Sequence, residues 1–177
     1  MADPALRTLL EQQQARFYGK YRGVVTDNRD TDGLGRVTVK VPQVLGDTEV
    51  LALPCVPYAG KSVGFFAMPK KGTGVWVEFE AGDPSNPIWS GCVWAEGDID
   101  RRDAVPEVKF LKTEKFTLRI DDSAGEILIQ DANGSEIAIG PIGITIKGPI
   151  IETKSTGGRS VRVDSASVNV NNAFVVS

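Results

Sequence analysis

Histidine is missing from all 177 residues. Without it the chain cannot build a Ser-His-Asp or Cys-His catalytic set, an imidazole metal ligand or a histidine pH switch. Cysteine is scarce too. Cys55 and Cys92 are the two present, too few for a zinc set without histidine, and in a reducing compartment they read as small buried hydrophobes rather than a disulfide. Aromatics make up 7% of the residues, and no apolar run is long enough for a transmembrane helix. Nor does one sign of charge dominate. Twenty Lys and Arg stand against 23 Asp and Glu, a net charge of −3, so no overall field draws the chain to nucleic acid or anionic lipid. The start, Met1-Ala2-Asp3-Pro4, has no basic region and no hydrophobic run behind it. The expectation is synthesis in the cytoplasm without a signal peptide.

What is present falls into four stretches. Residues 1–17 read as a short helix: Asp3 fits the N-cap, Pro4 the first helical position, and Leu6, Leu9, Leu10 and Phe17 fall roughly on one face. From 18 to 95 short strands alternate with turn residues. Val37, Val39 and Val41 alternate cleanly before Pro42, and further strands are expected at 21–26, 50–54, 64–67, 74–80 and 88–94. About five strands in some eighty residues suit a small closed barrel, with an OB-type barrel ahead of an SH3-like one. Trp76 reads as a core residue there, since Phe79 lies close in the same strand pattern. Residues 96–115, charged and bunched around Asp98, Asp100, Arg101, Arg102 and Asp103, read as a linker.

The stretch 116–177 is the most informative. Leu118/Ile120, Ile127/Ile129, Ile137/Ile139, Ile144/Ile146, Val161/Val163 and Val168/Val170 are i, i+2 pairs separated by short polar or glycine breaks. Phe116 and Phe174 are its two aromatics. One copy has too little apolar bulk to bury a core of its own. A β-rod shared by identical chains supplies what is missing, and three copies give the simplest closed prism. The twelve paired residues are the predicted trimer core.

Several patterns resemble chemical sites. Asp27, Asp30 and Asp32 precede Gly33, but the twelfth position of a calcium loop counted from Asn28 is Val39, inside a strand. The loop reads as a connection closed by Asx turns. Gly72-Thr73-Gly74 lacks the spacing of a phosphate loop and reads as a turn. Glu78 and Glu80 share one face of a strand and read as solvent-facing, so they form no catalytic pair with Asp83. Trp76, Trp89 and Trp94 with Arg22, Arg36, Lys40, Lys70 and Lys71 sketch a single-strand nucleic-acid surface. Yet residues 1–100 hold 10 basic and 13 acidic side chains. An adhesin rod would need an aromatic tip, and the C-terminus offers only Phe174.

The barrel stretch also resembles a known family. Tyr18 to Val25, Asp32-Gly33-Leu34-Gly35-Arg36-Val37-Thr38-Val39-Lys40-Val41-Pro42, Pro69 to Glu80 and Gly82-Asp83-Pro84-Ser85-Asn86-Pro87-Ile88-Trp89-Ser90-Gly91 are similar to the OB domain of central spikes in contractile phage tails and injection systems. These include baseplate assembly protein V and VgrG-type spikes. The resemblance implies an all-β chain: a short N-terminal helix, a five-stranded OB-type barrel and an intertwined trimeric β-helix or β-prism. It implies a structural, membrane-piercing spike that is not an enzyme and carries no cofactor. The partners it implies are two further copies, a baseplate hub or tube protein, a PAAR-type tip protein and, transiently, the target cell envelope, with no nucleic acid. It also implies assembly into a phage-tail-like particle. The linker leaves no room for the lysozyme domain some such spikes carry, and the lack of histidine rules out a histidine-ligated iron tip. Ala173, Phe174, Val175 and Val176 are the expected tip-binding residues.

Overall fold

The computed structural model describes residues 16–170 and the backbone of 174–176. Most of the expected N-terminal helix and Ala173 lie outside the described residues. Arg16 and Phe17, the last positions given to that helix, are not helical. The Phe17 N–H donates to Gly82 O at 2.8 Å, and its ring packs against Tyr21 and Phe79. The chain divides into two compact units after Asp98.

The first unit is a closed five-stranded barrel. Its strands are β1 (Tyr21–Asp27), β2 (Val37–Lys40), β3 (Glu49–Pro54), β6 (Gly74–Phe79) and β7 (Pro87–Val93), in the order β1-β2-β3-β7-β6. All neighbours are antiparallel except β3 and β7. This is the expected OB-type barrel. A single helical turn, α1 (Pro42–Leu45), follows β2, and a small hairpin, β4 (Ala59–Gly60) with β5 (Val63–Gly64), stands between β3 and β6.

The inward positions of the period-2 pattern make the core: Val25, Val37, Val39, Val41, Ala52, Val75, Val77, Phe79 and Trp89. Branched valines fill this narrow interior without leaving polar atoms unpaired. The one large polar-tipped residue, Trp89, donates its indole N–H to Gly35 O at 3.1 Å. Gly23 lets β1 cross close to β6, because a Cβ there would lie 2.9 Å from a Val77 methyl and 3.1 Å from Lys40 O. Gly72, at φ 88°, turns the chain into β6, the role expected of Gly72-Thr73-Gly74.

Three expectations for this unit are corrected. Trp76 is not core. Its neighbours Val75 and Val77 point inward, so Trp76 points outward, where Arg22 lies over its ring at 4.9 Å. The 64–67 stretch is not a barrel strand: it leaves the small hairpin with Phe65 and Phe66 exposed. Cys55 and Cys92 are free and exposed rather than buried, because both fall past the inward run of β3 and β7. The acidic loop is closed by Asx turns as expected. Asp30 is its organiser, accepting from the backbone N–H of Asp32, Leu34 and Arg36 and from the Arg36 guanidinium.

The second unit is made of antiparallel meanders. One sheet runs β12-β11-β10-β9-β8, from β8 (Val108–Lys112), β9 (Phe116–Asp121), β10 (Glu126–Asp131), β11 (Glu136–Gly140) and β12 (Gly143–Lys147). The other runs β13-β14-β15-β16, from β13 (Ile150–Lys154), β14 (Ser160–Asp164), β15 (Val168–Val170) and β16 (Phe174–Val176). The stretch read as a linker to residue 115 therefore contains a strand, β8, paired with β9 along five positions. The segment before it is also tied down. Asp103 accepts from Arg119 at 3.1 Å and lies 3.8 Å from Lys112, while Arg119 also donates to Asp121 at 3.0 Å.

The barrel core carries a clear expectation. Trp89→Ala removes the largest buried ring and its hydrogen bond, and should cost about 3–5 kcal/mol of stability in denaturant unfolding followed at the barrel. A loss below about 1 kcal/mol would place Trp89 outside the core.

Candidate functional site

In the first meander the registers fix which side chains share a face. Leu111, Leu118, Ile129, Ile137 and Ile146 stand opposite one another across five strands. Ile120, Ile127, Ile139 and Ile144 make a second row. Phe116 lies on the same face at the end of β9. These ten side chains are 39–69% exposed.

The reverse face carries Arg119, Leu128, Gln130, Glu136 and Ala138, which are half-buried. The burial is inverted: the more apolar face is the wetter one. A monomer seldom leaves so large a contiguous apolar patch in water, and such a patch marks an interaction surface. The second meander repeats the arrangement in smaller residues. Val163 lies opposite Ile151 and Val168, and Val161 opposite Thr153 and Val170, the four valines being 38–45% exposed. By backbone register Phe174 and Val176 lie opposite Val170 and Val168.

All twelve residues singled out from the i, i+2 pairs thus lie on the two apolar faces. Leu111, Phe116 and Ile151 join them and were not singled out. Leu111 was masked by its own strand, where Val108 and Phe110 form the more obvious i, i+2 pair but sit on the reverse face. Its cross-strand partner, Leu118, is the signal that identifies it.

Hairpin turns hold these registers, and a one-residue slip would turn the isoleucines to the other face. Three turns are closed by an aspartate that accepts from the backbone a few residues on. Asp121 accepts from Ser123 N–H and hydroxyl and from Ala124 N–H. Asp131 accepts from Asn133 and Ser135 N–H, and Asp164 from Ala166 and Ser167 N–H. These bonds favour the charged carboxylate. The Ser123 hydroxyl, chiefly, brings Asp121 down to about 2. The N–H of Ser135 lowers Asp131, and that of Ala166 lowers Asp164.

The barrel offers no comparable chemistry among the described residues. Glu78 is half-buried, lies 3.1 Å from Lys20 and is held below the usual carboxylate range by it, then by Ser90. That suits an ion pair rather than a general acid. Of the three tryptophans in the nucleic-acid sketch, Trp89 is buried and Trp76 lies under Arg22, while Arg36 is engaged by Asp30 and Asp32. Exposed Leu34, Tyr58, Val63, Phe65 and Phe66 line an open apolar cavity of about 370 Å³ beside the small hairpin.

A closed OB-type barrel followed by sheets with an unpartnered apolar face defines a structural protein that completes itself by association. Residues 21–94 match the Type VI secretion system/phage-baseplate injector OB domain, and residues 108–176 match the phage baseplate V C-terminal trimerisation domain. The chain belongs to the phage baseplate V family. It is a homotrimer-forming baseplate protein, and its family is structural. None of the curated proteins compared with it matches.

The aspartate turns set a pH dependence whose sign is fixed. Folded-state values lie below the unfolded one, so the turns stabilise fully above the unfolded value and lose this as the pH falls through the folded values. Thermal stability should be level down to about pH 5 and decline between about pH 4 and 2. Asp121→Ala should shrink that decline, and a variant with an unaltered acid profile would remove Asp121 from this role.

Proposed function

We propose that this protein is the trimeric central spike of a contractile injection machine. In this reading three copies turn their apolar faces toward a common axis. The observation that carries it is the continuous, half-exposed face of Leu118, Ile120, Ile127, Ile129, Ile137, Ile139, Ile144 and Ile146, extended by Val161, Val163, Val168 and Val170. Each half-exposed Leu or Ile contributes about 1 kcal/mol on leaving water, and the gain recurs for every such side chain on all three chains.

The mechanism is mechanical. Short turns and continuous ladders leave little slack, so the trimer must lose backbone pairing and shared burial together before it yields. That property suits a body pushed through a target cell envelope. The barrel meets the hub or tube protein, and its apolar cavity by the small hairpin supports a protein-facing role for that unit. Ala173, Phe174, Val175 and Val176 receive a PAAR-type tip protein. The protein acts without catalysis, cofactor or nucleic acid, and works in a phage-tail-like particle.

Light scattering tests the reading directly. The mass should be three times the 19.0 kDa of the chain and should persist in SDS until heated. Ile129→Asp or Ile146→Asp would set three unpaired carboxylates near the axis and should abolish the trimer. A trimer of unchanged melting temperature would show that these positions do not share a core.

A further inference from the structure

Every residue from 57 to 67 is exposed, in the stretch that joins β3 to β6. Turn chemistry favours Gly, Pro, Asn, Asp and Ser in such a connection. This one reads Pro57-Tyr58-Ala59-Gly60-Lys61-Ser62-Val63-Gly64-Phe65-Phe66-Ala67, with Phe65 52% and Phe66 75% exposed. It is also shaped rather than slack. Strands β4 and β5 pair in register, the Phe65 N–H donates to Tyr58 O at 2.9 Å, and Ser62 holds the turn at φ 61°. That left-handed conformation is unfavourable for a residue with a side chain and persists only where its surroundings impose it.

The hairpin and the loop before β2 wall the cavity of about 370 Å³. The loop side is held by Asp30, which accepts from the N–H of Leu34 and Arg36, and by the Trp89 indole N–H on Gly35 O. A Cβ at Gly35 would touch Pro54, Phe66 and Met68, so the loop backbone packs directly against the opposite wall. The polar side-chain groups of the lining are the hydroxyls of Tyr58 and Ser62 and that indole N–H, which is already engaged. A polar ligand would find little here to orient it. A large apolar side chain needs nothing more. The charge is one-sided as well. From Val50 to Val77 there is no Asp or Glu, although the chain holds 23 in 177 residues. Lys61 stands at the hairpin tip, between Gly60 and Ser62 of the cavity lining. The nearest carboxylates of the facing loop, Asp30 and Asp32, are turned to Arg36.

We propose that this cavity seats a segment of a partner protein that inserts one large aromatic or aliphatic side chain flanked by carboxylates. The inserted side chain fills the space between Leu34, Val63 and Phe66, and the carboxylates meet Lys61. An apolar anchor sunk in a pocket carries most of the energy of an interface, while charge at the rim steers the approach and sets specificity. The inference deepens the protein-facing role given to the barrel and rests on that part of the reading. A bilayer surface also takes up exposed aromatics and lysine. Concave walls held on both sides suit an inserted side chain instead.

Selection from a random-peptide display library on the immobilised full chain tests this. The peptides retained should carry Phe, Trp, Leu or Ile beside Asp or Glu. A synthetic copy of one retained peptide should bind about tenfold more weakly to a Phe66→Ser chain. Lys61→Glu should weaken it several-fold and remove its dependence on salt. Both substituted side chains are exposed, and an unchanged denaturant midpoint shows that each variant folds. Retained peptides that are basic or lack a large apolar residue, binding that Phe66→Ser leaves intact, or no retention at all would overturn the proposal. Uptake of the chain by phosphatidylglycerol vesicles, lost in Phe66→Ser, would assign the patch to lipid and remove the protein-facing role as well. A trimer that retains no such peptide loses the cavity's occupant alone, whereas a monomer that retains one keeps the occupant and loses the spike.

Discussion

A β-sheet with one apolar face must bury that face against something, and the second half of this chain has nothing of its own to offer. Its two meanders pair strand with strand within the chain, but their isoleucines and valines remain half in water. Every other property of the segment follows from that constraint. The turns must be short and firmly closed, because slippage would invert the faces. In the proposed trimer the missing apolar partner is another copy, so that trimerisation and the formation of a core are one event.

The barrel meets the same hydrophobic requirement differently. Closing five strands on themselves gives nine buried hydrophobic side chains, among the described residues, in a unit of under a hundred. The unit can be small because valine fills its interior with little rotamer entropy lost. Its outer surface is then free for other contacts: Arg22 on Trp76, Lys20 with Glu78, and the apolar cavity by the small hairpin. The two halves thus differ: one closes within the chain, and the other, in the proposed trimer, closes between chains.

Alternation was the legible signal. It located the valine strands of the barrel and twelve residues of the exposed apolar faces, since strand side chains change sides at every residue whatever the tertiary context. It failed where alternation is ambiguous. Trp76 and Phe79 are three apart and cannot share a face of a regular strand, so the nearness of Phe79 does not make Trp76 core. Trp89, grouped with the stacking candidates by residue type, is the buried one. Leu111 was hidden by Val108 and Phe110, and the 64–67 run was apolar without being paired.

The sequence alone determined the class of the molecule: all-β, without histidine chemistry, with a self-sufficient barrel and a second segment too poor in bulk to fold alone. Those conclusions depend on composition and on local period, which the chain carries in its own order. Tertiary structure decided which face each pair joins and that β8 belongs to the sheet. It also decided that Asp30 closes on Arg36 and that the ladder stops at Gly148-Pro149. Each of these depends on residues far apart in sequence meeting across a ladder or a loop, and register is a property of pairs of strands rather than of either one.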